Sequence, residues 1–500
     1  MKLLNKSLKG VVSFIVNDNH QSYLIGLMSF LFILIIVTHF FVRLLLLNVS
    51  VIHGDEYAFA YVARGYLQGF YPHDYFFEHK PFGLSLIFYS MFYLLGDSLP
   101  VMRMIPIALI TSSAVFVYLI MSNSGAFRRD VAIFATALFL VFSMGATGES
   151  FASDSECIVN FFMLASIYFV FIRKSIFIGG VLAGFAVSVN YLSGPLVFLL
   201  YAYQFLKCIN NKDLKSVIVL AFSIVIGFLF HIFPILLKGD IQNYLVGQYR
   251  FLSVYNSLNY FRAHDFWILM KIHWGISLMV LVSVVCLTII RKAQDACFYF
   301  FYLIFSVLVA MAPGPYWPHY FILTLPPAVL LIATVLSEFD EKRIYISTLI
   351  IAIIYAAPNA YSFAKYGASS ILEYYKTGDF DYIQKFSKDF QSNCKLSSKD
   401  RVFVYSNKNE HQGLNFSTGT RPATSPGWNQ PFDFLGESIY QASWKDTMNS
   451  IFDSPISAVI YSSRIEGEKD EYLKLKFNDF SSKNNWSIFE SSGLVYGCKL

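Results

Sequence analysis

Between Tyr23 and Leu47 the only charged residue is Arg43. A run this long and apolar reads as a membrane-spanning helix. It is too long for the apolar part of a signal peptide and has no clear small-residue cleavage site, so it is expected to be retained. Similar stretches recur near residues 99–121, 131–147, 157–172, 176–190, 192–206, 216–237, 267–290, 296–312, 319–336 and 344–363. With the first run, they predict an α-helical polytopic membrane protein of about eleven spans. Two spans flanking Asn190-Tyr191 are short for a bilayer of about 30 Å, which implies tilt, local thinning or re-entrance. Composition agrees: 56% of residues are apolar, only 14% are charged, and the mean hydropathy is +0.51. The net charge of +5 is spread along the chain and leaves no nucleic-acid footprint.

Basic residues orient the spans, because short cytoplasmic connections accumulate Lys and Arg. With the N-terminus inside, the inner segments hold Lys2, Lys6, Lys9, Arg128, Arg129, Arg173, Lys174, Lys207, Lys212, Lys215, Arg291, Lys292, Lys342 and Arg343. The outer segments hold only Arg64, Lys80, Lys238, Arg250 and Arg262, setting aside Arg43, Arg103 and Lys271 near helix ends. This orientation places Asp55, Lys80, Asp154 and the loops 238–266 and 313–318 on one outer face. Residues 48–98 then form an outer loop in which 56–69 and 82–95 are expected as interfacial helices. A transmembrane domain, 1–363, is followed by a polar region, 364–500, expected as a small α/β domain outside the membrane. Its strand-like runs are Arg401–Tyr405, Ala458–Tyr461 and Gly493–Gly497. Four of the six cysteines fall in or near spans, leaving Cys394 and Cys498 for a disulfide in an oxidising compartment.

The polar residues at the membrane edge carry the functional reading. Asp55 and Glu56 follow Gly54, and a carboxylate there could act as a general base; alternatively, both acids favour the start of the helix that follows. Lys80, in the run EHKPFG, is held extended by Pro81 and could meet a lipid phosphate or simply anionic headgroups. Asp154 and Glu156 in GESFASDSE could face a cavity or cap the helix near Cys157. His319 sits in GPYWPHYFILTLPP, which reads as an aromatic belt or as a phosphate or sugar contact. Glu78 with His79, His264 or His273 leaves a divalent metal open, although no paired ligand spacing is present. No other cofactor is required.

The order of these features resembles the GT-C membrane glycosyltransferases, in the branch of bacterial protein O-mannosyltransferase-like and aminoarabinose-transferase-like enzymes. The matching elements, over roughly residues 20–340, are the early Asp-Glu, the Lys-Pro about 25 residues later, Gly96 then Arg103, Asp154, and the late HYFILTLPP. The resemblance implies inverting transfer of a sugar from a polyprenyl-phosphate monosaccharide to a hydroxyl-bearing envelope acceptor: glycolipid, polysaccharide or protein. It implies a multi-pass protein of the bacterial inner membrane acting on the outer face. Asp55 matches the family's base, Lys80 the lysine near the donor phosphate, and Glu78 an acid that can contribute to a metal site; His319, from its own sequence context, is a second candidate for the donor phosphate. Glu56, Arg103, Asp154 and Glu156 are expected on the acceptor side of the cavity. KPF stands where relatives read KPP or KPI, which alters the packing beside Lys80. Residues 364–500 inherit no role. A transporter or flippase of lipid-linked sugars is the main alternative, and a noncatalytic surface-assembly subunit is another.

Overall fold

The computed structural model describes residues 20–50, 54–69, 80–123, 128–145, 148–211, 213–238, 293–312, 318–339, 342–397, 400–405, 456–462, 468–492 and 494–499, with short or isolated stretches between them. The chain is mostly helical. The helices are α1 His20–Leu45, α2 Gly54–Leu67, α3 Phe82–Leu95, α4 Leu99–Asn123, α5 Arg129–Gly145, α6 Ser155–Ile167, α7 Ile176–Val189, α8 Ser193–Asn210, α9 Leu214–Leu229, α10 Phe233–Lys238, α11 Ala293–Met311, α12 Leu325–Leu336 and α13 Lys342–Thr377. Helix α6 continues through a π-helical turn at Tyr168–Ile172, and a 3₁₀ turn at Pro318–Thr324 leads into α12.

Among the described residues five helices are long and apolar enough to cross a membrane: Tyr23–Leu45, Leu99–Asn123, Ser155–Ile172, Pro318–Leu336 and the one that begins at Lys342. The span expected at 267–290 lies outside the described residues except for Ser277, Leu281 and Val284. Helix α13 runs on to Thr377, across residue 363 where the composition turns polar.

Without water between them, membrane helices gain little from apolar contact itself and rely on close packing. Gly180 and Gly184 lie one turn apart on α7 and meet Ser223 and Ile224 of α9, while Gly227 of α9 meets Val181 of α7. A Cβ at Gly184 would overlap the carbonyl oxygen of Ile224, and one at Gly227 that of Val181. The small residues thus let two helix backbones touch. Helices α4, α5, α6, α12 and α13 surround a core in which Phe134, Phe139 and Phe142 of α5 are fully buried.

Beyond α13 the chain forms α14 (Tyr382–Cys394) and a five-stranded sheet with α15 (Glu468–Lys483). The strands are β1 Arg401–Tyr405, β2 Arg421–Pro422, β3 Ala458–Ser462, β4 Ser487–Ser491 and β5 Leu494–Cys498, in the order β2-β1-β3-β5-β4. β1 pairs parallel with β2 and β3, while β5 runs antiparallel between β3 and β4. Side chains alternate across a sheet. Val402, Val404, Ala458 and Ile460 therefore pack under Phe386 and Phe390 of α14, and Phe403, Val459 and Tyr461 under Phe477 of α15. Cys394 and Cys498 form a disulfide, with Cα atoms 5.7 Å apart, tying the end of α14 to the end of β5.

Candidate active site at the start of helices α2 and α3

Asp55 and Glu56 occupy the first turn of α2, where the exposed backbone N–H groups favour negative charge. Successive residues on a helix point about 100° apart, so the two carboxylates part company. Glu56 turns inward, is fully buried, and forms an ion pair with Arg103 of α4. Arg103 also donates to the carbonyl of Val49 at 3.0 Å, and the Ser153 N–H donates to Glu56 at 3.2 Å. The Ser153 hydroxyl in turn donates to the Met102 carbonyl at 2.9 Å. Four segments of chain are thereby locked around one carboxylate.

Asp55 instead keeps a partly exposed side chain, 19% accessible, with Oδ2 3.8 Å from the Lys80 ammonium. Lys80 immediately precedes Pro81, whose φ of −59° and ψ of 148° start α3. Its Nζ lies 4.7 Å from the centroid of the Phe59 ring, a cation–π contact from one turn further along α2. The base of α3 is fixed on both sides. The Phe82 N–H donates to the Tyr244 hydroxyl at 3.1 Å, and Gly83 packs so closely on Ser188 of α7 that a Cβ would overlap its carbonyl. Two unit charges 4 Å apart interact by about 1 kcal/mol in water and about 4 kcal/mol at the effective dielectric near a protein surface. The Asp55–Lys80 contact therefore strengthens as water is displaced from it.

Asp154 is buried and occupies the N-cap position of α6 in extended backbone, but its carboxylate makes no capping hydrogen bond. Glu156 is fully buried and accepts from the Ser155 hydroxyl and from Asn190 Nδ2, each at 2.9 Å. Asn190 ends α7, and its Oδ1 also accepts from the Leu192 N–H at 3.0 Å. His319 is buried in the 3₁₀ turn before α12, edge-on to Tyr320. That turn is tied to α6 by Asn160, which donates to the Ile322 carbonyl at 2.7 Å. Two sequence candidates are thus joined directly to two others, Asp55 to Lys80 and Glu56 to Arg103. Asp154, Glu156 and His319 stand on adjoining elements.

Glu78, His79, His264 and His273 lie outside the described residues. Among the described residues no group of three or more His, Cys, Asp and Glu is placed to hold a metal ion.

Sequence reasoning passed over His39 and Arg43. They are four residues apart on one face of α1, and both are buried. Arg43 donates to the carbonyls of Ser150 (3.0 Å) and Ser143 (3.4 Å) and lies 5.0 Å over the Phe151 ring. It anchors the turn that delivers Ser153 to Glu56. The available signal was polar residues at helical spacing in an otherwise apolar span, which face the protein interior rather than lipid.

The class defined by this arrangement is that of a helical membrane protein with a carboxylate–ammonium pair where α2 and α3 begin. No protein-family model matches the chain, and no curated protein matches its sequence. Solved structures do. The chain is similar to ArnT from Cupriavidus metallidurans bound to undecaprenyl phosphate, at a TM-score of 0.59 and 12% identity, covering 95% of this chain and 98% of that one. The apo state of the same protein matches at a TM-score of 0.59 and 12% identity, over 94% and 97% of the two chains. The similarity is one of fold, and it extends over nearly the whole length of both chains.

Proposed function

We propose that this chain is an inverting glycosyltransferase that moves a sugar from a polyprenyl-phosphate monosaccharide to an envelope acceptor, on the outer face of the bacterial inner membrane. The observation that carries this reading is the Asp55–Lys80 pair, a carboxylate and an ammonium 3.8 Å apart. The fold likeness to a protein bound to undecaprenyl phosphate supports a donor of the same lipid class.

The chemistry needs one base and one cation. Asp55 accepts the proton of the acceptor hydroxyl as its oxygen attacks the anomeric carbon from the face opposite the phosphate. The anomeric C–O bond to phosphate breaks, the configuration inverts, and polyprenyl phosphate departs. On donor entry the Asp55–Lys80 contact opens around the sugar, and Lys80 neutralises the charge that grows on the leaving phosphate. The cation–π contact with Phe59 holds the ammonium in place without consuming its charge. Glu56, already paired with Arg103, fixes the first turn of α2 so that Asp55 is aimed before substrate arrives. Asp154, Glu156 and Arg103 shape the acceptor side, His319 stands with Lys80 on the donor side, and Glu78 with His264 would hold a divalent metal if one takes part.

The test is transfer of labelled sugar from polyprenyl-phosphate donors by purified protein in nanodiscs. Asp55→Asn preserves size and removes the base, a change that costs about 100-fold to 10,000-fold where general-base catalysis operates. Turnover near wild type in that variant would refute the mechanism.

A further inference from the structure

The C-terminal sheet carries an open cleft of about 960 Å³ outside the site described above. Small-molecule sites fall mostly between about 300 and 1,000 Å³ and combine an aromatic lining with a few convergent polar groups. This cleft has both. Its aromatic wall is Phe452, Phe480 and Trp486, with Trp486 edge-on to Phe480 at 4.9 Å between centroids and Phe480 tilted on Phe452 at 5.4 Å.

The end of α15 fixes that wall. Asn485 takes a left-handed φ of 54°, the Asn484 N–H returns to the Phe480 carbonyl at 3.0 Å, and the Trp486 N–H to that of Ser481 at 2.9 Å. This is the terminal geometry that closes a helix. Trp486 therefore stands at a defined place although it is only half-buried.

The polar lining has three aspartates, Asp400, Asp453 and Asp479, and three lysines, Lys476, Lys483 and Lys499, with no net formal charge. Asp479 and Lys483 satisfy each other at 2.7 Å. Asp400 accepts from Ser397 and Ser457, and these hydrogen bonds hold its carboxyl below the usual carboxylate range. Asp453 and Lys499 are exposed at the cleft surface, Lys476 lies 5.6 Å over the Tyr472 ring, and Asn484 donates through Nδ2 to the Phe480 carbonyl at 2.8 Å, which turns its amide toward the wall. A polyanion or phosphate would call for excess positive charge, and a purely apolar ligand would strand these groups. Apolar faces with hydroxyl edges and no net charge are the properties of an uncharged sugar chain.

We infer that this cleft is a binding site for a neutral carbohydrate chain, whose C–H faces stack on Trp486 while its hydroxyls bond to Asp453, Lys476 and Asn484. Under the transferase reading, the bound chain would be the sugar portion of the acceptor; the binding itself needs no donor and no chemistry.

The test uses the full chain in nanodiscs, with maltotetraose, cellotetraose, mannotetraose and chitotetraose as neutral probes and tetragalacturonate as an anionic comparator. Binding is followed by calorimetry and saturation-transfer NMR. At least one neutral tetrasaccharide should bind, about tenfold more weakly in Trp486→Ala and within about threefold of wild type in Trp486→Phe, the loss expected for a stacking anchor. Asp453→Asn, an exposed change that does not disturb the sheet, should weaken binding about threefold or more. Undecaprenyl-phosphate binding should be unchanged in Trp486→Ala, and tetrasaccharide binding unchanged in Asp55→Asn, so each reading can fail alone. Three results would overturn the inference: no neutral probe binding, binding indifferent to both Trp486→Ala and Asp453→Asn, or tighter binding of tetragalacturonate.

Discussion

The backbone N–H of Ser50 donates a 2.7 Å hydrogen bond to Asp381, 331 residues further along the chain. The other oxygen of the same carboxylate caps α14 through the N–H groups of Ile383 (3.1 Å) and Gln384 (3.2 Å). Gln384 completes the clasp by donating to the Asn48 carbonyl at 3.0 Å. One side chain thus begins a C-terminal helix and restrains the segment that leads into Asp55.

Asp381→Ala should lose the cap, about 1 kcal/mol, and leave the buried Ser50 N–H without its acceptor, about 1 to 3 kcal/mol. Hydrogen exchange should show faster exchange in residues 48–50 as well as at the start of α14. Protection in 48–50 equal to wild type would mean that Asp381 acts on its own helix alone.

Glu56 and Arg103 are both buried, so removing one partner strands the other. Arg103→Met or Glu56→Leu alone should destabilise the protein by about 3 to 5 kcal/mol, and the double variant should recover most of the loss. Thermal unfolding in detergent, combined as a double-mutant cycle, measures this. Additive effects would show that the ion pair is not a coupled unit.

Lys80→Ala should weaken binding of polyprenyl phosphate at least tenfold while leaving thermal stability close to wild type. Lys80→Arg should retain part of the binding, because it keeps the charge but changes the hydrogen-bond geometry. Native mass spectrometry with a lipid-phosphate series provides the measurement. Unchanged affinity in the alanine variant would remove Lys80 from the donor side.

The Cys394–Cys498 bridge closes a loop of 104 residues in sequence. A loop of that size is worth about 4.7 kcal/mol in the chain-entropy account, and bridges typically deliver about 2 to 4 kcal/mol. Reduction, or the paired serine variant, should therefore lower the unfolding temperature of the sheet more than that of the transmembrane helices. Domain-resolved hydrogen exchange separates the two.

Much of this was legible from sequence where the signal is local. Apolar length located most of the helices among the described residues, although the run 216–237 divides into α9 and α10; Gly54-Asp55-Glu56 marked the start of α2, and Lys80-Pro81 marked that of α3. The distribution of cysteines between spans and polar region singled out Cys394 and Cys498. Partner choice was not legible, because it depends on how helices are turned toward one another. Glu56 belongs to Arg103 and Glu156 to Asn190 through packing that no spacing in the chain encodes. Asp154 has the residue type and position of a capping group, yet its carboxylate makes no capping hydrogen bond.

Helix α13 has one further consequence. Its 36 residues span about 54 Å at 1.5 Å per residue. Gly367 meets the backbone of Leu45 so closely that a Cβ there would collide with the α1 carbonyl, while Asp381 and Gln384 reach Asn48 and Ser50 just beyond. The helix therefore works as a ruler with a keyed edge. Removing one residue between Gly367 and Thr377 would turn everything after it by about 100° and shorten the reach by about 1.5 Å. The phase of that last stretch of helix, more than its sequence, sets whether the C-terminal clasp can find the threshold of Asp55.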